Sequence, residues 1–254
     1  EGVLADEIRF LYIMGENPML SDPDITQLEE ALEHCEFLVV QDIFLTETAK
    51  HADVVLPAAC YAEKDGTFVN TERRVQRVRK AVNAPGEAMA DLDILAALLK
   101  KLGLSADYAG AASVFDEISK CTPVYGGINY DRLDKMGSVQ WPCPDASHPG
   151  TPILHVDKFG RGEKALLVPA AYQETAEITD AEYPLILTTG RVLAQYHTRT
   201  MTGKSEGINK LAGKSFVEIN PEDADKLCIC DGDMVTVASR RGEVKVEAKV
   251  TDDI

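Results

Sequence analysis

Apolar and polar positions fall into blocks whose period changes along the chain. Residues 8–14, IRFLYIM, form a short dense apolar run that predicts a buried strand, ended by Gly15. A Pro-rich loop, GENPMLSDPD (15–24), follows. Within it Asp22 is placed to cap a helix, with Pro23 at the first helical position. Ile25, Leu28, Ala31, Leu32 and Cys35 then recur at helical spacing. FLVVQD (37–42) reads as a second buried strand, TETAKH (46–51) as a short helix and DVVLP (53–57) as a third strand. Strands alternating with helices are the signature of a parallel α/β sheet. A further helix is predicted over about 90–102, with Leu92, Leu95, Leu99 and Leu102 on one face and Gly103 as its stop.

Residues 105–182 change character. They contain GG, WPCPD, HPGTP and FGRGEK, and predict extended, looped chain with one helix near 112–120, its start capped by Ser113. From Tyr183 the pattern turns to strands. PLILTTG (184–190) reads as a strand ending in glycine, and SFVEINPEDADKL (215–227) as a strand, a turn and a short helix. DMVTVAS and EVKVEAKV alternate apolar and polar residues on either side of Arg240-Arg241-Gly242-Glu243, the pattern of a β-hairpin. This later part predicts a mostly β domain, a barrel.

Length and composition narrow the class. The 254 residues suffice for one large or two ordinary domains, and 45% hydrophobic with 27% charged residues excludes a disordered chain. The net charge of -16 argues against a general binder of nucleic acid or anionic membrane, because phosphates are repelled. No run reaches the roughly 20 apolar residues that span a bilayer. The opening EGVLADEIRFLYIMG has no basic n-region or cleavage site, so it is not read as a signal peptide. Starting at Glu1, the chain reads as a piece of something longer or a processed product. Cys35, Cys60, Cys121, Cys143, Cys228 and Cys230 are scattered without metal-site spacing and read as ordinary reduced cysteines. Cys228 and Cys230, separated by Ile229, suit one face of a strand.

Four places carry candidate chemistry. Ligands of α/β sheets sit at strand carboxyl ends over helix N-termini. The loop after the first strand is such a place, and Asn17 there can bond a base or a phosphate, although the GxGxxG fingerprint is missing. Gln41 and Asp42 end the second strand, where an acidic residue accepts from ribose hydroxyls; a helix-cap or turn aspartate is the competing reading. The basic run within 63–80 (Lys64, Arg73, Arg74, Arg77, Arg79, Lys80) either pairs with the acidic surface or faces an anion or acidic partner; it does not form one clear face, since Arg73, Arg77 and Lys80 could share a helical face but Arg74 and Arg79 would lie off it. The richest segment is TTGRVLAQYHTRTMTGKS (188–205), directly after a strand. Its backbone N–H groups, hydroxyls and the cations Arg191, Arg199 and Lys204 suit a pyrophosphate or a polar heterocycle. No nucleophile–base–acid triad, GxSxG, HExxH or Walker loop is present, so the chain reads as holding a cofactor and supplying no catalytic residue of its own.

Taken together, these residues resemble the catalytic α subunit of molybdenum or tungsten bis-molybdopterin guanine dinucleotide oxidoreductases, formate dehydrogenases above all. The resemblance is carried by MGENPMLSDPD (14–24), VVQDIFLTETAKHADVVLPAACYAEKDGTFVNTERRVQ (39–76), PGEAMADLDIL (85–95), GGINYDRL (126–133) with WPCPDASHPGTPILH (141–155), and TGRVLAQYHTRTMTG (189–203). It runs over nearly the whole chain in the family's order. It implies an α/β plus β fold: a partial Rossmann-like parallel-sheet domain (1–107), an extended Gly/Pro-rich connecting segment (108–182) and a truncated double-psi β-barrel domain (183–254).

The resemblance also implies site residues. Asn17, Gln41, Asp42, Lys64 and Asp91 match cofactor contacts. Lys64 can bond guanine or a phosphate, and Asp42 or Asp91 can accept from ribose hydroxyls or guanine N–H groups; which does which stays open. Thr189, Gly190, Arg191, Val192, Leu193, Ala194, Gln195, Tyr196, His197 and Thr198 match the loop that wraps the second dinucleotide. Lys64 and Asp91 enter the site through the resemblance alone. The family's four-cysteine motif for a 4Fe-4S cluster and the Cys or selenocysteine that ligates the metal are not in this sequence. The expectation is therefore a cofactor-holding part of a cytoplasmic formate dehydrogenase, inactive by itself. Its implied partners are the rest of the catalytic subunit and an iron-sulfur/flavin electron-transfer subunit, with formate or CO2 as substrate and neither nucleic acid nor a membrane span. A nitrate reductase or other sibling, and a non-catalytic scaffold retaining the fold, are the alternatives.

Overall fold

The computed structural model describes residues 1–105, 107–160, 162–175 and 177–254; Arg161 of the FGRGEK stretch lies outside the described residues. Strand β1 (Phe10–Met14) leads through a single helical turn α1 (Pro18–Ser21) to helix α2 (Ile25–His34), then β2 (Phe37–Asp42) and, past a 3-10 turn at Thr48–His51, β3 (Val54–Pro57). The sheet order is β1-β2-β3. The Leu38 carbonyl accepts from Asp53 N–H and the Asp42 carbonyl from Ala58 N–H, so partners advance together, the parallel sense expected from the sequence. The apolar run of β2 is buried: Leu38, Val39 and Val40 are 1%, 7% and 0% exposed. Two local expectations are corrected. The loop at 15–24 contains α1, and α2 starts two residues late, capped by Asp24, whose carboxylate accepts from Gln27 N–H, while Asp22 accepts from Asp24 N–H.

The basic run lies along a sheet. β4 (Gly66–Val69) and β5 (Arg74–Val78) pair antiparallel, and β6 (Ser138–Gln140) pairs antiparallel with β5. Period two, not 3.6, therefore sorts the arginines. Val75 faces a core at 0% exposure. Arg77 Nη1 donates to both carboxylate oxygens of Asp134 at 3.0 Å, and its guanidinium lies 3.8 Å from the centre of the Tyr130 ring. Arg79 also pairs with Asp134 at 2.5 Å, and Arg74 with Glu72 at 2.9 Å. Of the two readings, pairing within the acidic chain describes these arginines.

Helix α3 (Asp91–Lys101) matches its expectation, and Gly103, at φ +78, ends it as the Leu104 N–H reaches the Leu99 carbonyl. Its buried residue is Ile94, however, while Leu95 and Leu102 are exposed. The stretch after 105 is more regular than expected. It holds α4 (Ala111–Cys121) and α5 (Tyr130–Met136) as well as β6. Ser113 does not cap α4; Gly110 stands at the N-cap and accepts from the Ser113 hydroxyl. Val75, Phe115, Ile128, Leu133, Val139 and Cys143 form one core, flanked by Tyr125, Tyr130 and Trp141. Gly and Pro density misled here because the apolar residues of this core are spaced widely between turns.

Farther along, α6 (Glu206–Ala212) precedes β7 (Phe216–Ile219), α7 (Pro221–Leu227), β8 (Met234–Ser239) and β9 (Gly242–Val250). β7 pairs parallel with β9, and β8 and β9 form the expected hairpin, closed by Arg240 and Arg241. Residues 184–190 are not a strand. Leu185, Ile186 and Leu187 are 60%, 85% and 64% exposed, because an apolar run becomes a strand only where a neighbouring strand takes its backbone hydrogen bonds. Cys228 and Cys230 are not on a strand either: Cys228 ends α7 in the left-handed conformation (φ 54), and Cys230 starts the turn before β8. The chain divides into two compact units, residues 1–39, 46–53 and 172–254 in one, and 40–45 with 54–171 in the other. Among the described residues no helix is long and apolar enough to cross a membrane.

Candidate functional site

In the second unit, Gln41, Lys64 and Asp91 meet at the carboxyl ends of β2 and β3. β2 carries Gln41, 0% exposed, to the strand's end. Asp91 arrives because residue 89 pairs beside β3: Met89 N–H donates to the Pro57 carbonyl and the Met89 carbonyl accepts from Ala59 N–H, setting the first residue of α3 beside the strand end. The Gln41 Nε2 amide donates to Asp91 Oδ1 at 2.6 Å, and Lys64 Nζ pairs with Asp91 Oδ2. The Lys64 and Asp91 side chains are 27% and 25% exposed, shielded yet open to a ligand. Asp42, the next residue of β2, is half-buried, and its Oδ1 accepts from Phe44 N–H at 2.9 Å. Its geometry is that of a turn aspartate with one oxygen committed. A buried amide, a carboxylate and an ammonium at one strand end can bond hydroxyls, base N–H groups and a phosphate.

In the first unit, Asn17 is buried at 3% exposure. Its Oδ1 accepts from the Thr48 backbone N–H at 3.2 Å and from the Thr48 hydroxyl at 2.7 Å, while its Nδ2 donates to Glu47 at 2.8 Å. Thr48 also accepts from Met19 N–H at 3.1 Å. Asn17 thus ties the loop after β1 to the turn at 46–51. The Asn17 bond, and after it the Glu47 backbone N–H, hold the Glu47 carboxyl below its ordinary range against burial, with lesser help from the positive charges of Lys204 and Lys50. Glu47 and Thr48 escaped sequence reasoning; their only signal was a Thr-x-Thr pattern after a strand.

The segment 189–198 is a loop of turns whose members split in two. Gln195 anchors it: its amide donates to the Ala212 carbonyl at 2.6 Å and its Oε1 accepts from the Thr202 hydroxyl at 2.6 Å. Arg199, expected among the cations for a ligand, donates to the Gly213 carbonyl and to Asn209, both at 2.9 Å. Thr189, Gly190, Arg191, Val192, Leu193, Tyr196, His197 and Thr198 are exposed, and Ala194 is half-buried. The Tyr196 and His197 rings pack edge-on at 4.4 Å. The loop therefore presents backbone N–H groups, hydroxyls and Arg191 outward from an anchored base.

A strand-end cluster of this kind, on an α/β sheet followed by an antiparallel and then a mixed sheet, suits a protein that holds a nucleotide-bearing cofactor. Comparison with known proteins specifies which. A family model of molybdopterin oxidoreductases matches residues 2–101, and one of the molybdopterin dinucleotide-binding domain matches residues 185–254. The chain belongs to the molybdopterin oxidoreductases. It is 56% identical over 253 residues to the F420-dependent formate dehydrogenase subunit alpha of Methanocaldococcus jannaschii, with 97% of this chain and 37% of that protein covered. It is 50% identical over 253 residues to F420-dependent formate dehydrogenase 2 subunit alpha of Methanococcus maripaludis, with 98% and 37% covered. The chain spans 37% of the length of these curated relatives. Among solved structures it is similar to acetylene hydratase from Pelobacter acetylenicus, at TM-score 0.69 and 17% identity, covering 96% of this chain and 35% of that one, a likeness of fold.

Proposed function

We propose that the chain is a cofactor-holding part of the catalytic subunit of a molybdenum or tungsten formate dehydrogenase, which oxidises formate to CO2, a proton and two electrons. The carrying observation is Asp91 joined to both Lys64 and Gln41 at the strand ends. That donor set fits a guanine dinucleotide: an ammonium for phosphate, a carboxylate for hydroxyls or base N–H groups, and a buried amide to fix them. The choice of formate rests on the relatives, and their F420-dependent names favour F420 as the final electron acceptor.

Within this reading, Gln41, Asp42, Lys64 and Asp91 hold one dinucleotide. Thr189, Gly190, Arg191, Val192, Leu193, Ala194, Gln195, Tyr196, His197 and Thr198 line the other. Asn17 shapes the loop after β1. The β1-β2-β3 sheet is part of a Rossmann-like domain (1–107), residues 108–182 connect, and β7, β8 and β9 open a double-psi β-barrel (183–254). When bound, the metal centre supplies the two-electron chemistry; this chain's share is binding and orientation. A 4Fe-4S cluster elsewhere in the subunit and an iron-sulfur/flavin partner subunit carry the electrons onward, and the cytoplasm is the proposed compartment.

The test is metal and guanine-nucleotide analysis of the natural complex, with formate oxidation assayed alongside. The reading expects about two GMP per metal atom on acid hydrolysis. A complex that oxidises no formate, or yields neither GMP nor metal, would sink it.

A further inference from the structure

Both oxygens of the Asp91 carboxylate are engaged, and the two donors differ in mobility. Gln41 is fully buried in β2, so its amide stays in place. Lys64 follows the 3-10 turn at Tyr61–Glu63 on extended backbone (φ -142, ψ 160), and its four-carbon stem has four rotatable bonds. With its side chain 27% exposed, the ammonium has a path to solvent. The carboxylate, 25% exposed, is shielded enough that leaving it without a second donor is costly.

We infer that the Lys64–Asp91 ion pair is exchangeable: the ammonium guards the carboxylate until a ligand edge bearing its own pair of N–H donors replaces it. This deepens the cofactor reading and rests on it. The exchange follows from the donor inventory. An edge with adjacent N–H donors, such as guanine N1–H and its amino group, restores what Asp91 loses when Lys64 leaves. The adenine edge sets a ring-nitrogen acceptor beside its amino group and would face Asp91 with a lone pair, so the ion pair persists against it. The released ammonium then turns to the anionic part of the same ligand. Lys64 thus competes with such an edge for Asp91, and its removal frees the carboxylate.

Guanosine, which has no phosphate, separates this role from simple phosphate binding. The full-length subunit prepared without cofactor is dialysed against guanosine, GMP or adenosine, as wild type and as Lys64→Met, Lys64→Gln and Lys64→Arg. Lys64→Met is expected to bind guanosine about three-fold more tightly than wild type, the scale of a partly shielded ion pair no longer competing. Lys64→Arg, which keeps the pair, is expected to bind as wild type does. Lys64→Gln serves as a second neutral variant should Lys64→Met fail to fold. Adenosine binding stays unchanged throughout. Guanosine binding that is unchanged or weaker in both neutral variants would overturn the exchange. If GMP alone weakens, Lys64 is a plain phosphate contact and the cofactor reading survives without the exchange. If wild type and variants bind neither guanosine nor GMP, the cofactor reading fails and takes the exchange with it.

Discussion

The side-chain amide of Gln41 donates to Asp91 across 2.6 Å, although the two residues stand 50 positions apart. One ends a buried strand and the other begins a helix, and the Met89 backbone pairing beside β3 brings them together. Replacing Asp91 with alanine removes an acceptor from Gln41 and the counter-charge from Lys64. The cost expected is about 1–3 kcal/mol, read as a lower urea midpoint of the full-length protein. An unchanged midpoint would mean the cluster does not bear on the fold.

Asn17 serves Thr48 in the same way. Asn17→Ala strips the acceptor from the Thr48 N–H and hydroxyl in a site where Thr48 is 0% exposed. A loss of about 1–3 kcal/mol is expected. Asn17→Asp keeps the Oδ1 acceptor but sets a carboxylate against Glu47, so it should recover only part of it, and thermal unfolding of the three proteins checks the order.

The Asn17–Glu47 bond also makes a pH prediction. Asn17 holds the Glu47 carboxyl below its ordinary range, so the folded state favours the ionised form. The stability this contributes is fully present above the ordinary glutamate range and is lost as pH falls from there through the lower folded value. Denaturation at a series of acid pH values should show that decline, and Glu47→Gln, which keeps an acceptor but does not titrate, should make it shallower. An identical slope in both proteins would remove Glu47 from the account.

Gly127 meets the Asp145 carbonyl so closely that a Cβ would overlap it, and the obstacle is backbone, which has no rotamer to change. Gly127→Ala is expected to destabilise by about 3 kcal/mol, measured by differential scanning calorimetry. Gly160, with nothing near its Cβ position, is the control that should tolerate alanine.

The loop at 189–198 separates anchoring from presentation. Arg191 is exposed, so Arg191→Ala should leave stability within about 0.5 kcal/mol while lowering the cofactor content of the purified enzyme. Gln195→Ala cuts the bonds to Ala212 and Thr202, so it should bring both a faster proteolytic cut in the loop and a lower cofactor content. Equal cofactor content in wild type and both variants would exclude the loop from the site.

Much of this was legible in the residues. β2, α3 and the β8–β9 hairpin follow from local apolar period and turn chemistry, which act over a few residues. The basic run was not: antiparallel pairing with β4 and β6 put Arg74 and Arg77 on opposite faces of β5, and Asp134, 57 positions from Arg77, pairs with both Arg77 and Arg79, the latter just past the strand. Residues 184–190 have the apolar run of a strand, but local sequence does not record whether a neighbouring strand takes their backbone hydrogen bonds. In the candidate site, Asn17, Asp42 and the loop were visible as chemistry at strand ends, but that Asn17 is committed to Thr48 and Asp91 to Gln41 and Lys64 was not.

By itself the sequence determined the strongly periodic elements such as β2, α3 and the β8–β9 hairpin, which residues carry donors and acceptors, and the family to which they belong, because these depend on neighbours in the chain and on motif order. The tertiary structure alone decided which of those groups are already spent on one another. A carboxylate reads the same in sequence whether it awaits a ligand or holds a lysine; only the meeting of β2, the turn after β3 and α3 shows that Asp91 holds one. Such meetings depend on long-range packing, where a bond such as Gln41–Asp91 spans 50 residues and no local pattern records it.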